Sequence, residues 1–391
     1  MKIMRHISSF PPIRENGPAF QAQQLTQMLS KRDHECTVIS HGGRTCQKIL
    51  TEERDGYTII WYPSLYSTRN ITLAPSLLKI SLKHTPDLIH IHDYRSFESE
   101  IVARIASIRE IPIILTAHGT VSLFQYLAQN VMGRIPYYLY DFLTRKFLPN
   151  NAEAIVATCE YESRLMQKFG IDKAKIFVIP HGVNPPPNLS HLKQNIPKNS
   201  RPTALFVGRI SLARNIPLLL NALILVKDEI PDVLLVICGD YISESSFIRG
   251  NNIQTNITES IRTNNLKNNI EFRGWMSRDD LWKEYSQADI FVWPSMHDNY
   301  GHALVEASVC GLPIVSTSVG VAAEVIGNNE GGFLVRKDNH VIFAEKIIEL
   351  FLNKSKYDKA SVFIRKQSQK FTVKKMVDSY EELYSNVISR S

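Results

Sequence analysis

Short apolar runs, each about a strand long, recur at Glu35–Ser40, Tyr57–Trp61, Leu88–Ile91, Ile113–Thr116, Ala154–Thr158 and Ile176–Ile179. Between most of them the apolar residues repeat at helical spacing, as in Ala19–Ser30, Phe97–Arg109 and Tyr161–Phe169. Alternating strand and helix units predict an α/β fold, with a parallel sheet covered by helices on both faces. Such sheets bind ligands beyond the carboxyl ends of their strands. The pattern breaks at Pro185-Pro186-Pro187 and stays polar to Ser200, which reads as a linker. It then resumes with apolar runs at Thr203–Val207, Leu234–Cys238, Ile290–Val292 and Ile314–Ser316. The chain therefore divides into two doubly wound domains, one on either side of this linker.

Size and composition agree with two globular domains: 391 residues, 44% hydrophobic and 21% charged. No apolar run approaches the roughly 20 residues that span a bilayer. The opening MKIMRHISSFPP places charges and a Pro-Pro pair where a signal peptide needs its apolar core, so no secretion is expected. Five scattered cysteines without a C-x-x-C pair point to a reducing, cytoplasmic setting and away from zinc. A net charge of +7 suits anionic substrates or the anionic inner face of a membrane. No Arg/Lys block or aromatic-interleaved motif suggests nucleic acid.

The densest chemistry lies in Trp293–Thr317, WPSMHDNYGHALVEASVCGLPIVST. Pro294 ends a strand, Asp298-Asn299-Tyr300-Gly301 is turn-forming, and Ala303–Cys310 is a short helix stopped by Gly311-Leu312-Pro313. The helix N-terminus opens at a strand's carboxyl end, where its dipole and amide groups favour an anion. Asp298 and Glu306 flank that opening, eight residues apart. About 1.5 Å of helix rise per residue puts them roughly 12 Å apart, too far to flank one glycosidic bond as an acid–base pair. The spacing suits two groups holding opposite ends of a long ligand with a negative middle, such as a nucleotide sugar. It equally suits a loop aspartate and a solvated glutamate with nothing in common.

This stretch resembles the signature of the GT-B retaining glycosyltransferases of family 4, an acid-x7-Glu motif followed by Ala and then Gly-x-Pro. It appears here as Asp298, Tyr300, Gly301, Glu306, Ala307, Gly311 and Pro313, with Asp298 where the family more often has Glu. Gly208-Arg209 through Arg214-Asn215 resembles the family's Gly-Arg-x4-Lys-Gly diphosphate clamp, with Arg for Lys and Asn for Gly. Guanidinium forks suit phosphate oxygens. The loop from Ser8 to Pro18 resembles the family's N-terminal glycine loop, with Gly17 alone of two glycines. Thr116-Ala117-His118-Gly119 matches the strand end whose histidine reaches the donor sugar. Glu271–Met276 matches the base-binding position, which implies Trp275 and Met276 as donor contacts, and Gly320–Glu324 is like a second sugar-side loop.

The resemblance implies two Rossmann-like domains facing a central cleft. Val178–Asn184 resembles the segment that closes the first domain. The resemblance therefore implies that the acceptor would bind a first domain over residues 1–182, the nucleotide-diphosphate sugar a second over residues 183–371, and helix 372–391 would cross back onto the first. It implies a hexosyltransferase that retains anomeric configuration without a metal ion or other cofactor. His118, Arg209, Arg214 and Asp298 would be the catalytic residues, and Asn299, Tyr300, Gly301, His302 and Glu306 the remaining donor contacts. The base of the donor (uracil, guanine or adenine) and the acceptor (a glycan, a lipid-linked sugar or a small polar molecule) stay open. A non-hydrolysing epimerase shares this architecture, and a catalytically inactive nucleotide-sugar-binding protein would keep the same motifs. A nicotinamide dehydrogenase would need an early G-x-G-x-x-G, which the sequence lacks.

Two stretches remain ambiguous. His90 and His92 share one face of a strand, as a metal pair would, or as the family's Asp-x-x-His-x-His cleft wall. Arg134–Phe147, RIPYYLYDFLTRKF, mixes aromatics and cations at helical spacing. That suits a core helix with a basic outer face, or a peripheral membrane contact beside a lipid acceptor.

Overall fold

The computed structural model describes residues 1–12, 17–43, 46–67, 72–121, 131–190, 192, 199–241 and 253–390. The chain forms two compact units, Met1–Gly182 with Val373–Ser391, and Val183–Thr372. Each contains a largely parallel sheet, the expected α/β class.

In the first unit the strands are β1 (Lys2–His6), β2 (Glu35–His41), β3 (Leu50–Arg54), β4 (Tyr57–Tyr62), β7 (Leu88–His92), β8 (Ile113–Thr116), β9 (Ala154–Ala157) and β10 (Ile176–Val178), with β5 (Tyr66–Ser67) and β6 (Thr72–Leu73) forming a separate small ribbon. The main sheet runs β10-β9-β8-β7-β1-β2-β4-β3. Its one antiparallel pairing, β3 with β4, departs from the all-parallel expectation. The cause is local: Asp55 and Gly56 both have positive φ, 48° and 83°, which makes a two-residue hairpin turn too short for a crossover.

Side chains alternate across this sheet. Ile3, Ile7, Val38, Ile114 and Val156 pack with Val377, Tyr380 and Leu383 of the C-terminal helix Val373–Ile388 and with Ala22 and Leu25 of helix Gly17–Ser30. Met4, Ile39, Ile89, Ile91 and Leu115 face the other way, onto helices Pro75–Lys83 and Phe97–Ile108. By the same alternation Arg5, His90 and His92 point beneath the C-terminal helix, and every residue of β7 is buried. The strand order reverses between β1 and β7, so their carboxyl ends mark a topological switch point.

In the second unit the strands are β11 (Thr203–Val207), β12 (Leu234–Cys238), β13 (Ile270–Gly274), β14 (Ile290–Trp293), β15 (Ile314–Thr317) and β16 (Gly332–Val335). They run β13-β12-β11-β14-β15-β16, with the reversal between β11 and β14. The Gly208-Arg209 and Pro294–Asp298 segments leave the sheet on either side of that switch point.

Candidate functional site

In the second unit the chain comes very close to itself at the strand exits. A Cβ on Gly239 would lie 2.1 Å from the Gly208 carbonyl oxygen, so only glycine fits there. Beyond Gly208, the turn Leu212–Arg214 is pinned to the opposite loop by the Met296 N–H donating to the Ala213 carbonyl, 2.9 Å. Arg214 Nη1 donates to Asp298 Oδ2 at 2.7 Å, to the His297 carbonyl at 3.2 Å and to Ser295 Oγ at 3.3 Å. Its guanidinium carbon lies 4.7 Å from the centre of the Trp293 ring, and both ion-pair side chains are only 15% exposed. Asn215 follows in the left-handed region, φ 50°, a conformation Asn tolerates better than most residues. Its side chain donates to the Lys337 carbonyl at 3.3 Å. Arg209, at the other end of this segment, is exposed.

Across the switch point, Gly301 (φ 92°) precedes the helix His302–Cys310. Tyr300 is buried, and its carbonyl accepts from the Val321 N–H at 2.7 Å. Gly320 stands so close to that carbonyl that a Cβ would lie 2.2 Å from its oxygen. The Gly320–Glu324 loop thus clasps the Asp298–Gly301 turn. Asn299 is half-buried beside it. Glu306 is held apart from Asp298 by different partners, Arg278 Nη2 at 3.2 Å and the Tyr285 hydroxyl at 2.9 Å. Burial raises the Glu306 pKa, and Arg278 and Tyr285 partly offset this. Burial also lowers His297 and His302 to about 4 against the opposing pull of Asp298, so both rings are neutral near pH 7. At the end of β13 the Trp275 N–H donates to Asp240 Oδ1 at 3.0 Å, while its indole is 76% exposed and Met276 half-buried beside it.

In the first unit Gly17 opens helix Gly17–Ser30, and residues 13–16 of the proposed glycine loop lie outside the described residues. His118 leaves β8 with φ 47° and is followed by Gly119 at φ 80°. Buried Glu162 secures that turn, accepting from the Gly119 N–H at 2.5 Å and from the Thr158 N–H and hydroxyl at 2.7 and 2.6 Å. His118 Nε2 lies 2.8 Å from His92 Nδ1, and the His181 ring is 5.6 Å from that of His118. Asp93 and Arg95 also hold positive φ, so left-handed residues concentrate where β7 and β8 leave the sheet. His90 and His92 do not form a metal pair: Arg5 Nη1 donates to His90 Nδ1 at 2.7 Å and to His92 Nε2 at 2.8 Å. Among the described residues no cluster of three or more His, Cys, Asp or Glu is arranged to hold a metal ion.

Helix Val131–Thr144 turns Tyr140 and Asp141 inward, where Asp141 Oδ2 pairs with Arg95 at 2.8 Å. Its outer face is apolar instead of basic: Ile135, Tyr138, Leu139, Phe142 and Leu143 are exposed, Phe142 at 78%. No helix among the described residues is long and apolar enough to cross a membrane.

Sequence reasoning missed Arg5, Ser295, Arg278 and Tyr285. Ser295 lies within the Trp293–Thr317 stretch but carries no motif signal of its own, and Arg5, Arg278 and Tyr285 lie outside the motifs and meet their partners only in the folded chain.

Comparison with known proteins gives two family matches, Glycosyltransferase Family 4 over residues 16–186 and Glycosyl transferases group 1 over residues 190–367. The chain is 26% identical over 351 residues to the Escherichia coli UDP-Gal:alpha-D-GlcNAc-diphosphoundecaprenol alpha-1,3-galactosyltransferase, covering 85% of each chain. Among solved structures it is similar to Anabaena HepE in complex with UDP and glucose, with TM-score 0.73, 18% identity and coverage of 99% of this chain and 100% of that one. It is also similar to sucrose-phosphate synthase from Thermosynechococcus elongatus, with TM-score 0.75, 18% identity and full coverage of both chains.

Proposed function

The chain belongs to the GT-B glycosyltransferases of group 1, and from that premise we propose that it transfers a hexosyl group from a nucleotide-diphosphate sugar to a hydroxyl acceptor, with retention and without a metal ion. The observation that carries this reading is the meeting of Arg214, Asp298 and the start of helix His302–Cys310 at the switch point of the second sheet.

In this reading Arg209 and Arg214 bind the diphosphate, together with the amide end of that helix. Their charge stabilises the negative charge that grows on the leaving group. Arg214 is preorganised by Asp298, Ser295 and the Trp293 ring, so little reordering is needed when the anion arrives. Glu306, steadied by Tyr285 and Arg278, accepts the ribose hydroxyls. Trp275 and Met276 serve the base; since the Trp275 N–H already donates to Asp240, its indole face and carbonyl are the groups for that role. Asp298 and the backbone from Asn299 to His302 fix the sugar, and His118 of the first unit contacts it. Both carboxylates of the motif already hold cationic or hydroxyl partners, which favours attack by the acceptor on the face the diphosphate leaves over a covalent carboxylate intermediate.

The UDP in the Anabaena structure supports a nucleotide sugar as donor. The Escherichia coli relative, named for a diphosphoundecaprenol-linked substrate, supports a lipid-linked acceptor. The exposed apolar face of helix Val131–Thr144 then lies on the membrane that carries it, with Arg145 beside it facing anionic headgroups. Phe142→Glu is expected to abolish sedimentation with anionic vesicles while leaving donor binding intact; unchanged sedimentation would remove the membrane from the reading.

A thermal-shift screen with UDP-, GDP- and ADP-sugars is the first test, because a ligand that binds only the folded state raises the melting temperature. One nucleotide sugar should stabilise the protein, and Arg209→Ala should slow transfer by on the order of a hundredfold. Epimerised sugar formed without acceptor, or binding without turnover across an acceptor panel, would overturn transfer as the activity.

A further inference from the structure

One buried guanidinium of the first unit, that of Arg5, is hydrogen-bonded to neutral groups alone, unlike Arg95, which pairs with Asp141. Arg5 is 1% exposed, and its hydrogen bonds run to Thr26 Oγ1 at 2.9 Å, His90 Nδ1 at 2.7 Å, His92 Nε2 at 2.8 Å and the Tyr384 hydroxyl at 3.3 Å. A guanidinium has donors and no acceptor. Each imidazole nitrogen that faces it must therefore present a lone pair.

The consequence passes outward ring by ring. His92 accepts at Nε2, so its proton sits on Nδ1. That Nδ1–H points at His118 Nε2, 2.8 Å away, which must accept in turn. His118 then carries its own proton on Nδ1. Protonating His118 at Nε2 would set two N–H groups against each other, so the same chain opposes a cationic His118. The second arm obeys the same logic: His90 accepts at Nδ1 and donates from Nε2 to Thr116 Oγ1 at 2.7 Å. Tyr380 and Tyr384 of the C-terminal helix close the network, Tyr380 against Thr116 at 3.2 Å and Tyr384 against His90 Nδ1 at 2.6 Å.

We propose that Arg5 is a positioning residue that acts through His92 to fix His118 as the tautomer protonated on Nδ1, a hydrogen-bond donor at that atom. The inference rests on the reading that His118 contacts the donor sugar: a fixed N–H there selects a sugar oxygen as its acceptor and keeps the ring from acting as a base. Burial and the neighbouring Arg5 charge also lower the pKa of His90 and His92 well below the usual histidine range, which keeps both rings neutral.

The tautomer is read directly by long-range proton–nitrogen correlation on the full chain labelled with 15N-histidine, the His118 signals assigned by their loss in His118→Gln. The wild type is expected to show the Nδ1–H pattern. Arg5→Met should convert His118 to the Nε2–H form or to a mixture, and Arg5→Lys, which keeps charge and donors, should restore it. In transfer assays Arg5→Met should lower kcat by about tenfold or more with donor KM nearly unchanged, the scale for losing a group that orients a site residue. A wild-type Nε2–H signature overturns the relay, as does an unaltered tautomer in Arg5→Met; if that variant does not fold, His92→Phe breaks the same link. Full transfer by His118→Gln would instead remove the sugar contact, while the wild-type tautomer still decides the role of Arg5.

Discussion

Two sheet edges in this chain hold polar groups at a switch point, and they do so in opposite ways. In the first unit one buried cation is surrounded by imidazoles and hydroxyls, with every hydrogen bond running to a neutral partner. In the second unit Arg214 is matched by the Asp298 carboxylate near the surface, and Arg209 is exposed. The neutral network suits a task of orientation, because its members have little reason to rearrange when a sugar hydroxyl arrives. The charged pair suits a task of electrostatics, because Asp298 holds the Arg214 fork in place before any anion arrives. On the proposed reading, one fold class supplies a fixed donor at one edge and a preorganised cation at the other.

The strongest way to break this contrast is to delete the pair. Arg214→Ala and Asp298→Ala are each expected to lower kcat/KM by roughly a hundredfold, and the double variant to be no slower than either, since the two act as one unit. Additive losses in that double-mutant cycle would mean that the residues serve the donor independently. A smaller effect separates the units by pH. In the folded chain burial lowers His6 to about 3 and His297 and His302 to about 4, whereas an unfolded histidine titrates near 6.5. Below that pH the unfolded chain binds more protons, so these histidines make stability fall as pH falls from about 6.5 toward 4. Glu306, whose pKa is raised, acts in the opposite sense, losing its contribution as pH rises through that raised value. His6, His90 and His92 all belong to the first unit, so calorimetry between pH 7.5 and 5 should show the melting of that unit falling further, by several degrees. Equal shifts for both units would count against a greater histidine load in the first. The smallest effect is at Asn215, where the left-handed backbone makes Ala cost about 1 kcal/mol and leaves Gly within roughly half of that, measured by denaturant unfolding.

Much of this was readable along the chain, because it depends on local rules. Strand and helix spacing, the stop at Pro294, the helix opening after Gly301 and the acid pair eight residues apart are all short-range. The β3–β4 hairpin was not read: Asp55-Gly56 is a turn signal, but its first strand, LTEER, carries almost no apolar signal to flag it. Helix Val131–Thr144 is different. Aromatic residues occur on both of its faces, so periodicity identified a helix but gave no phase, and only packing against Arg95 shows which side is bare.

By itself, then, the amino-acid order determined that this is a two-unit α/β protein and which segments end at the ligand edges of its sheets. The tertiary structure decided which groups answer one another there. Arg5 reaches histidines 85 and 87 positions away, and Arg214 an aspartate 84 away, because parallel strands far apart in the chain lie side by side. Hydrogen bonding and ion pairing act over about 3 Å of space whatever the separation in sequence, so partner choice, and with it tautomer and charge, is set only when the sheet order is complete.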